Sequence, residues 1–218
     1  MIIAFAGQKG GAGKSTLAIA TACELHARGY RVLLVDADPQ GSARTFAAVA
    51  AEGGYPSPTV VSMGAEMYRP DQLPQLAPSF DHTIIDTPGR QGTIQKAALM
   101  VADLVVLPVG PSPLDVWSLA ESAELIREAQ ALRPDLAAVV TVNRKDPRTV
   151  LGRTVRASLE GLGLPILDTE ISLRIAMAEA PAAGQGVTAY APKDAAAEEV
   201  RALVSELLGF AAGKESSA

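Results

Sequence analysis

The chain has 218 residues, 48% of them apolar and 4% aromatic, with one cysteine and a formal net charge of −5. At about 100 to 200 residues per domain this suits a single α/β unit with a core of Ala, Val, Leu and Ile. The lone Cys23 excludes a disulfide framework, a zinc cluster and an iron–sulfur ligand set, no apolar run nears the ~20 residues of a membrane span, and the acidic balance argues against a wholly basic nucleic-acid binder. The chain opens on a strand and loop with no room for a signal peptide, so a reducing cytoplasm is expected.

Ile2 to Ala6 is an apolar run that reads as a buried strand, and Ser15 to Arg28 has helical apolar spacing at Leu17, Ile19, Ala20, Cys23 and Leu25 before Gly29. Between them runs Gly-Gln-Lys-Gly-Gly-Ala-Gly-Lys-Ser-Thr, from Gly7 to Thr16. Four glycines in seven positions free the backbone to turn successive N–H groups inward at a helix N-terminus, an anion nest formed by Gly10, Gly11, Ala12 and Gly13. Lys14 is aimed at the β and γ phosphates, Ser15 offers a hydroxyl to Mg²⁺ and Thr16 a second one near the α phosphate. Gln8 stands where the standard pattern has glycine, and a second lysine, Lys9, follows it. Alone, Lys9 reads as a solvated loop residue.

The run from Lys9 to Ser15, Lys-Gly-Gly-Ala-Gly-Lys-Ser, resembles the deviant Walker A loop of the ParA/MinD family of ATPases. The resemblance implies ATP and Mg²⁺ as cofactors and a homodimer in the ATP state, with Lys9 reaching across a nucleotide sandwich to the other subunit's phosphates.

Arg31 to Val35 is a second continuous apolar strand, completing a βαβ unit whose right-handed crossover gives a parallel sheet covered on both faces. It ends in Asp36-Ala37-Asp38-Pro39-Gln40-Gly41, which places two carboxylates at the edge where such sheets bind ligands. Without the upstream loop this would read as a solvated acidic turn. It resembles the family's Asp-x-Asp-Pro-Gln-Gly element, which implies that Asp38 positions the attacking water and Asp36 supports the metal. Placing that water is much of what a protein contributes to phosphoryl transfer.

Gly41 to Glu52 is alanine-rich and reads as a helix, residues 53–58 as a loop, and Thr59 to Ser62 as a short strand. From Met63 to Ser79, Pro70, Pro74 and Pro78 allow at most a short helix, and no role is assigned there. His82 to Asp86 is an apolar strand closing on an aspartate, the Walker B arrangement in which Asp86 holds Mg²⁺. Gly89 makes an Asp-x-x-Gly turn whose N–H can approach the γ phosphate. Many family members carry proline at this position, so Gly89 followed by Arg90-Gln91-Gly92 implies a more mobile switch.

Ile94 to Ala102 reads as a helix and Asp103 to Val109 as a buried strand. A long helix follows to Arg133, with Ser112 as its cap and Pro113 in its first turn. Pro111 to Asp115 resembles an element at the dimer face of short ParA proteins, which leaves Trp117 as either a dimer contact or a core residue. Leu136 to Val142 is a strand running to the ligand edge, so Asn143 and Arg144 are candidates for the adenine or its ribose. Arg144, Lys145, Arg148, Arg153 and Arg156, against Asp146 alone, form the strongest basic cluster of the chain. Such a run is either a solvated face or, doubled in a dimer, a surface that holds DNA by its phosphates without reading sequence; Arg174 and Lys193 would extend it. Leu164 to Leu167 reads as a last strand and Leu173 to Glu179 as a helix. Pro181 to Val187 reads as a flexible link where the family's base-contacting loop lies, Ala195 to Leu208 as a final helix, and residues 211–218 as a disordered tail.

The resemblance covers the whole chain and implies one doubly wound P-loop NTPase domain over residues 1–210, a mostly parallel sheet with helices on both faces. Lys9, Lys14 and Asp38 become its catalytic residues, and Ser15, Asp36 and Asp86 its metal site. It implies a cytoplasmic, nucleoid-associated partition or positioning ATPase that binds DNA non-specifically, because ParA proteins in the ATP state coat the nucleoid. A ParB-like or cargo-adaptor protein would stimulate hydrolysis. A chain opening at the phosphate loop lacks the helix-turn-helix extension of larger plasmid ParA proteins, so operator-specific repression is not expected, and the short ParF-type and orphan ParA proteins are the nearest match. A MinD-like membrane switch would need a C-terminal amphipathic helix rich in Lys and Arg, where this chain has Glu198, Glu199, Arg201 and Glu206. A ligase of the dethiobiotin-synthetase type would need a substrate pocket that no residues declare.

Overall fold

Six parallel strands form one sheet: β1 (Ile2–Phe5), β2 (Val32–Asp36), β3 (Thr59–Ser62), β4 (His82–Asp86), β5 (Leu104–Val109) and β6 (Ala137–Val142), in the order β3-β2-β4-β1-β5-β6. This computed structural model describes residues 1–89 and 92–215, with side chains of the last helix described to Phe210. The connections carry α1 (Lys14–Ala27), α2 (Ser42–Gly53), α3 (Leu73–Leu76), α4 (Gly92–Val101), α5 (Pro113–Leu132), α6 (Val150–Leu159), α7 (Ala176–Ala182), α8 (Val187–Tyr190) and α9 (Ala195–Glu215). Successive strand residues point to opposite faces. Ile3 and Phe5 therefore join a core with α1, α2, α7, α8 and α9, while Ala4 and Ala6 join a second core with α4, α5 and α6. Burial on both faces is why the strands read as unbroken apolar runs.

The register matters most at the C-terminal edge. Asp36 of β2 lies directly beside Asp86 of β4, and Phe5 of β1 lies on the other side of Asp86. The phosphate loop, leaving β1 one residue later, is thus held next to both carboxylates.

Several elements differ from the sequence reading. Residues 65–68 and 77–79 form 3-10 turns around α3, and the fully buried Met67 and Leu73 make this segment a lid on the α4 side of the core. Helix α6 was hidden by its charges, although Thr149 caps it and Gly152, Val155 and Leu159 form a buried stripe at helical spacing. Leu164 to Leu167 makes only an isolated bridge from Ile166 to Val140, since Pro165 lacks the N–H that a ladder needs. Helix α9 continues through Glu215, into the segment expected to be a disordered tail, and residues 216–218 lie outside the described residues. Among the described residues no helix is long and apolar enough to cross a membrane.

Candidate functional site

Gly7, Gly11 and Gly13 take φ values of 141°, 79° and 94°, and so curl the loop after β1 back on itself. A side chain at Gly13 would be doubly excluded, because its Cβ would lie 2.1 Å from Asn143 Nδ2. Gly13 caps α1 with no side-chain bond, leaving the first-turn N–H groups available to an anion. Lys14 is buried, and its Nζ donates to the Lys9 carbonyl at 2.9 Å. Burial pulls the Lys14 pKa down, and Asp86 and Asp38 push it back up.

Gly10, Gly11, Gly13, Lys14, Ser15 and Thr16 line one end of a cavity of about 390 Å³, together with Asp38 and Gly89. On the strand ends behind the loop, both carboxylate oxygens of Asp86 and Oδ1 of Asp36 are buried without a hydrogen-bond partner, while Asp36 Oδ2 accepts from the Arg44 backbone N at 2.8 Å and lies 3.8 Å from the Arg44 guanidinium. Burial raises the Asp86 pKa to about 7; Asp36 and Asp38 add to the rise, and Ser15 and Lys14 oppose it. Buried carboxylate oxygens without a donor are costly unless a ligand supplies the missing interaction. Two carboxylates and the Ser15 hydroxyl are hard oxygen donors suited to Mg²⁺, which keeps water and phosphate oxygens in its shell. Among the described residues no three His, Cys, Asp or Glu side chains form a group able to hold a metal by themselves.

Asp38 is half-buried, and its Oδ1 accepts from the Gln40 backbone N at 2.9 Å. Gly89 lies against the phosphate loop so closely that a Cβ there would come 3.0 Å from Gly10 N. Arg90 and Gln91 of the expected switch lie outside the described residues, and Gly92 already opens α4. Sequence reasoning missed Gln95, a buried residue of α4 whose amide donates to the carbonyls of Gly7 at 3.1 Å and Pro88 at 2.6 Å. It ties the loop to the turn, and the one clue was a polar residue on the helix's apolar side.

Lys9 forms an ion pair with Asp115 in the first turn of α5. Beside it Leu114 and Trp117 are exposed, Trp117 by 69%, so the tryptophan is no core residue. At the other side of the cavity Asn143 Nδ2 donates to the Ala12 carbonyl at 2.8 Å. Arg144, in the left-handed region at φ 56°, donates to the Gly11 carbonyl at 3.0 Å. Both line the cavity and grip the loop from the end of β6. The rest of the lining consists of Ser172, Leu173, Arg174, Met177 and Ala178. Residues 181–187, expected as the base-contacting link, are instead packed away from it. Pro181 sits inside α7, a Cβ on Gly184 would come 2.6 Å from Ala50 N, and one on Gly186 would come 2.5 Å from Cys23 Cβ.

The family model for the CobQ/CobB/MinD/ParA nucleotide binding domain matches residues 3–187. The chain belongs to this family. Among its relatives, Maintenance of carboxysome distribution protein A from Halothiobacillus neapolitanus is 31% identical, the match covering 94% of this chain and 95% of that protein. The chromosome-partitioning ATPase Soj of Thermus thermophilus is 32% identical over 94% of both chains. Among solved structures, the cell division ATPase MinD of Pyrococcus furiosus shares the fold, with a TM-score of 0.75, 21% identity and coverage of 96% and 98%.

In this member of the CobQ/CobB/MinD/ParA family, four of the basic residues named above pair with carboxylates. Lys145 pairs with Glu170, Arg148 with Asp146 at 2.9 Å, Arg156 with Asp168 at 3.0 Å and Arg174 with Glu199 at 2.9 Å. Three of these four acids come from residues 168–170 and α9, out of reach of a local count. Arg148 remains 87% exposed in its side chain, Arg153 donates to the Arg148 carbonyl at 3.3 Å, and Lys193 is exposed. Arg174 faces the cavity.

Proposed function

We propose that the chain is a ParA-type positioning switch. It binds MgATP, dimerises face to face in that state, and hydrolyses ATP when a partner on the cargo stimulates it. One observation carries this reading: the buried, unpartnered oxygens of Asp86 and Asp36 beside Ser15 and the glycine loop. Lys14 and the N–H groups of residues 10–16 hold the phosphates, Ser15 and Asp86 take the Mg²⁺ with Asp36 in support, and Asp38 orients the attacking water. A bound Mg²⁺ would supply the positive charge that neutralises the phosphate oxygens. Lys9 exchanges Asp115 for the other subunit's phosphates, and exposed Leu114 and Trp117 lie on the dimer face.

The dimer holds DNA non-specifically through the surface around Arg148 and Arg153, whose arginines remain exposed; trading the exposed Asp146 pair for a backbone phosphate costs little. This makes the protein cytoplasmic and nucleoid-associated. The test is binding to a random-sequence duplex with ADP, ATP and a non-hydrolysable ATP analogue across a salt series, with Arg148→Glu alongside. Salt-sensitive binding confined to the triphosphate states and weakened in the variant is the expected result. Absence of DNA binding in every state overturns the DNA output, and liposomes become the next surface to test.

A further inference from the structure

Two residues of the cavity lining outside the phosphate loop, Ser172 and Arg174, are fastened to the C-terminal helix by one side chain. Glu199 of α9 accepts from the Ser172 backbone N at 2.9 Å, from Ser172 Oγ at 2.8 Å, and from Arg174 Nε and Nη2 at 3.2 and 2.9 Å. Its side chain is 19% exposed. Ser172, Leu173 and Arg174 all line the cavity, yet they belong to no strand or helix; their backbone is held by an isolated bridge from Ser172 to Lys145, beyond the end of β6, and by the bond from the neighbouring Ile171 N to the Val142 carbonyl at 2.8 Å. Two turns further along α9, Glu206 accepts from the backbone N of Asp168 and Thr169 at 2.7 and 2.9 Å. The helix that carries both glutamates is in turn packed through Val200, Leu203, Val204 and Leu207 into the core shared with α1. A wall segment with only these few backbone ties thus takes much of its side-chain anchoring from a rigid element.

We infer that Glu199 is a positioning residue for the nucleoside end of the site. The phosphates are bound at the loop, so the base and sugar extend toward residues 172–178, and Glu199 sets that wall without touching the nucleotide. This rests on the nucleotide-binding reading above. It also gives Arg174 a role at the site in place of a DNA contact: its guanidinium is held by Glu199 on the cavity side.

The experiment compares Mg²⁺-ATP with inorganic tripolyphosphate, which has no base or sugar, by calorimetry on the full chain. Glu199→Ala leaves the Ser172 N–H and Arg174 without their charged acceptor, so ATP binding is expected to weaken about tenfold while tripolyphosphate binding stays within about twofold. Glu199→Gln keeps an acceptor for Ser172 but drops the charge, and should fall between the native chain and Glu199→Ala; it also guards against a folding defect in the alanine variant. Equal weakening toward ATP and tripolyphosphate overturns the inference, because Glu199 would then only support the site as a whole. Unchanged ATP binding in both variants overturns it as well and leaves the nucleotide reading intact. A native chain that binds neither compound overturns the nucleotide reading itself.

Discussion

The acidic edge of the sheet and the basic cluster beside it treat charge in opposite ways. At the edge, Asp86 and Asp36 keep buried oxygens with no partner; in the cluster, Lys145, Arg148, Arg156 and Arg174 each meet a carboxylate. A buried carboxylate oxygen left without a donor is costly, so it persists where a ligand completes it, whereas an exposed pair contributes about 0 to 1 kcal/mol and marks nothing in particular. Unmet charge is therefore a sharper sign of a site than concentrated charge.

The largest effect expected from that contrast belongs to Asp86→Asn. Hydrolysis should fall by about 10²-fold or more, as when an electrostatic group is removed from a reacting centre. Without nucleotide or metal the same variant should be more stable than the native chain. Because the folded-state pKa of Asp86 is raised from 3.8 to about 7, native stability is fullest below the ordinary carboxylate value and is lost as pH rises through about 7. Thermal unfolding in a chelator at pH 5 and pH 8 checks this: the gain should be large at pH 8 and small at pH 5, and no gain at pH 8 would mean the carboxylate is not unmet after all. A smaller but specific loss is expected for Lys9→Ala, which should retain nucleotide binding while sedimentation shows no ATP-dependent dimer. Were the dimer to persist, the Lys9–Asp115 pair would be merely structural. The smallest effect is expected at the compensated cluster. In Asp146→Asn, neutral-pH stability should be unchanged within error, and DNA binding should tighten because Arg148 is released. The arginine holds the Asp146 carboxyl below its ordinary value, so the pair's slight stabilising effect is present above that value and fades as pH falls through the depressed one.

The phosphate loop, the Asp36 and Asp38 turn and the strand closing on Asp86 were all legible because each is a contiguous stretch in which a strand end hands over to a turn. The strands themselves showed as apolar runs, since burial on both faces leaves no polar period. Helix α6 escaped because its arginines drew attention from Val155 and Leu159, and Pro165 undid the expected last strand. Gln95 was invisible as a link because its partners, Gly7 and Pro88, lie on other elements.

By itself, then, the amino-acid order determined the doubly wound sheet and the chemistry of its phosphate edge, because those depend on near neighbours along the chain and on the period of apolar residues. Which cations are neutralised, what holds Lys9, and which segment completes the cavity wall were decided only in three dimensions. Asp115 reaches Lys9 from α5, Asp168 and Glu170 reach the basic loop from the segment after α6, and Glu199 reaches Ser172 from the last helix. Electrostatic compensation acts through space over a few ångströms, and folding alone brings those distant carboxylates within range.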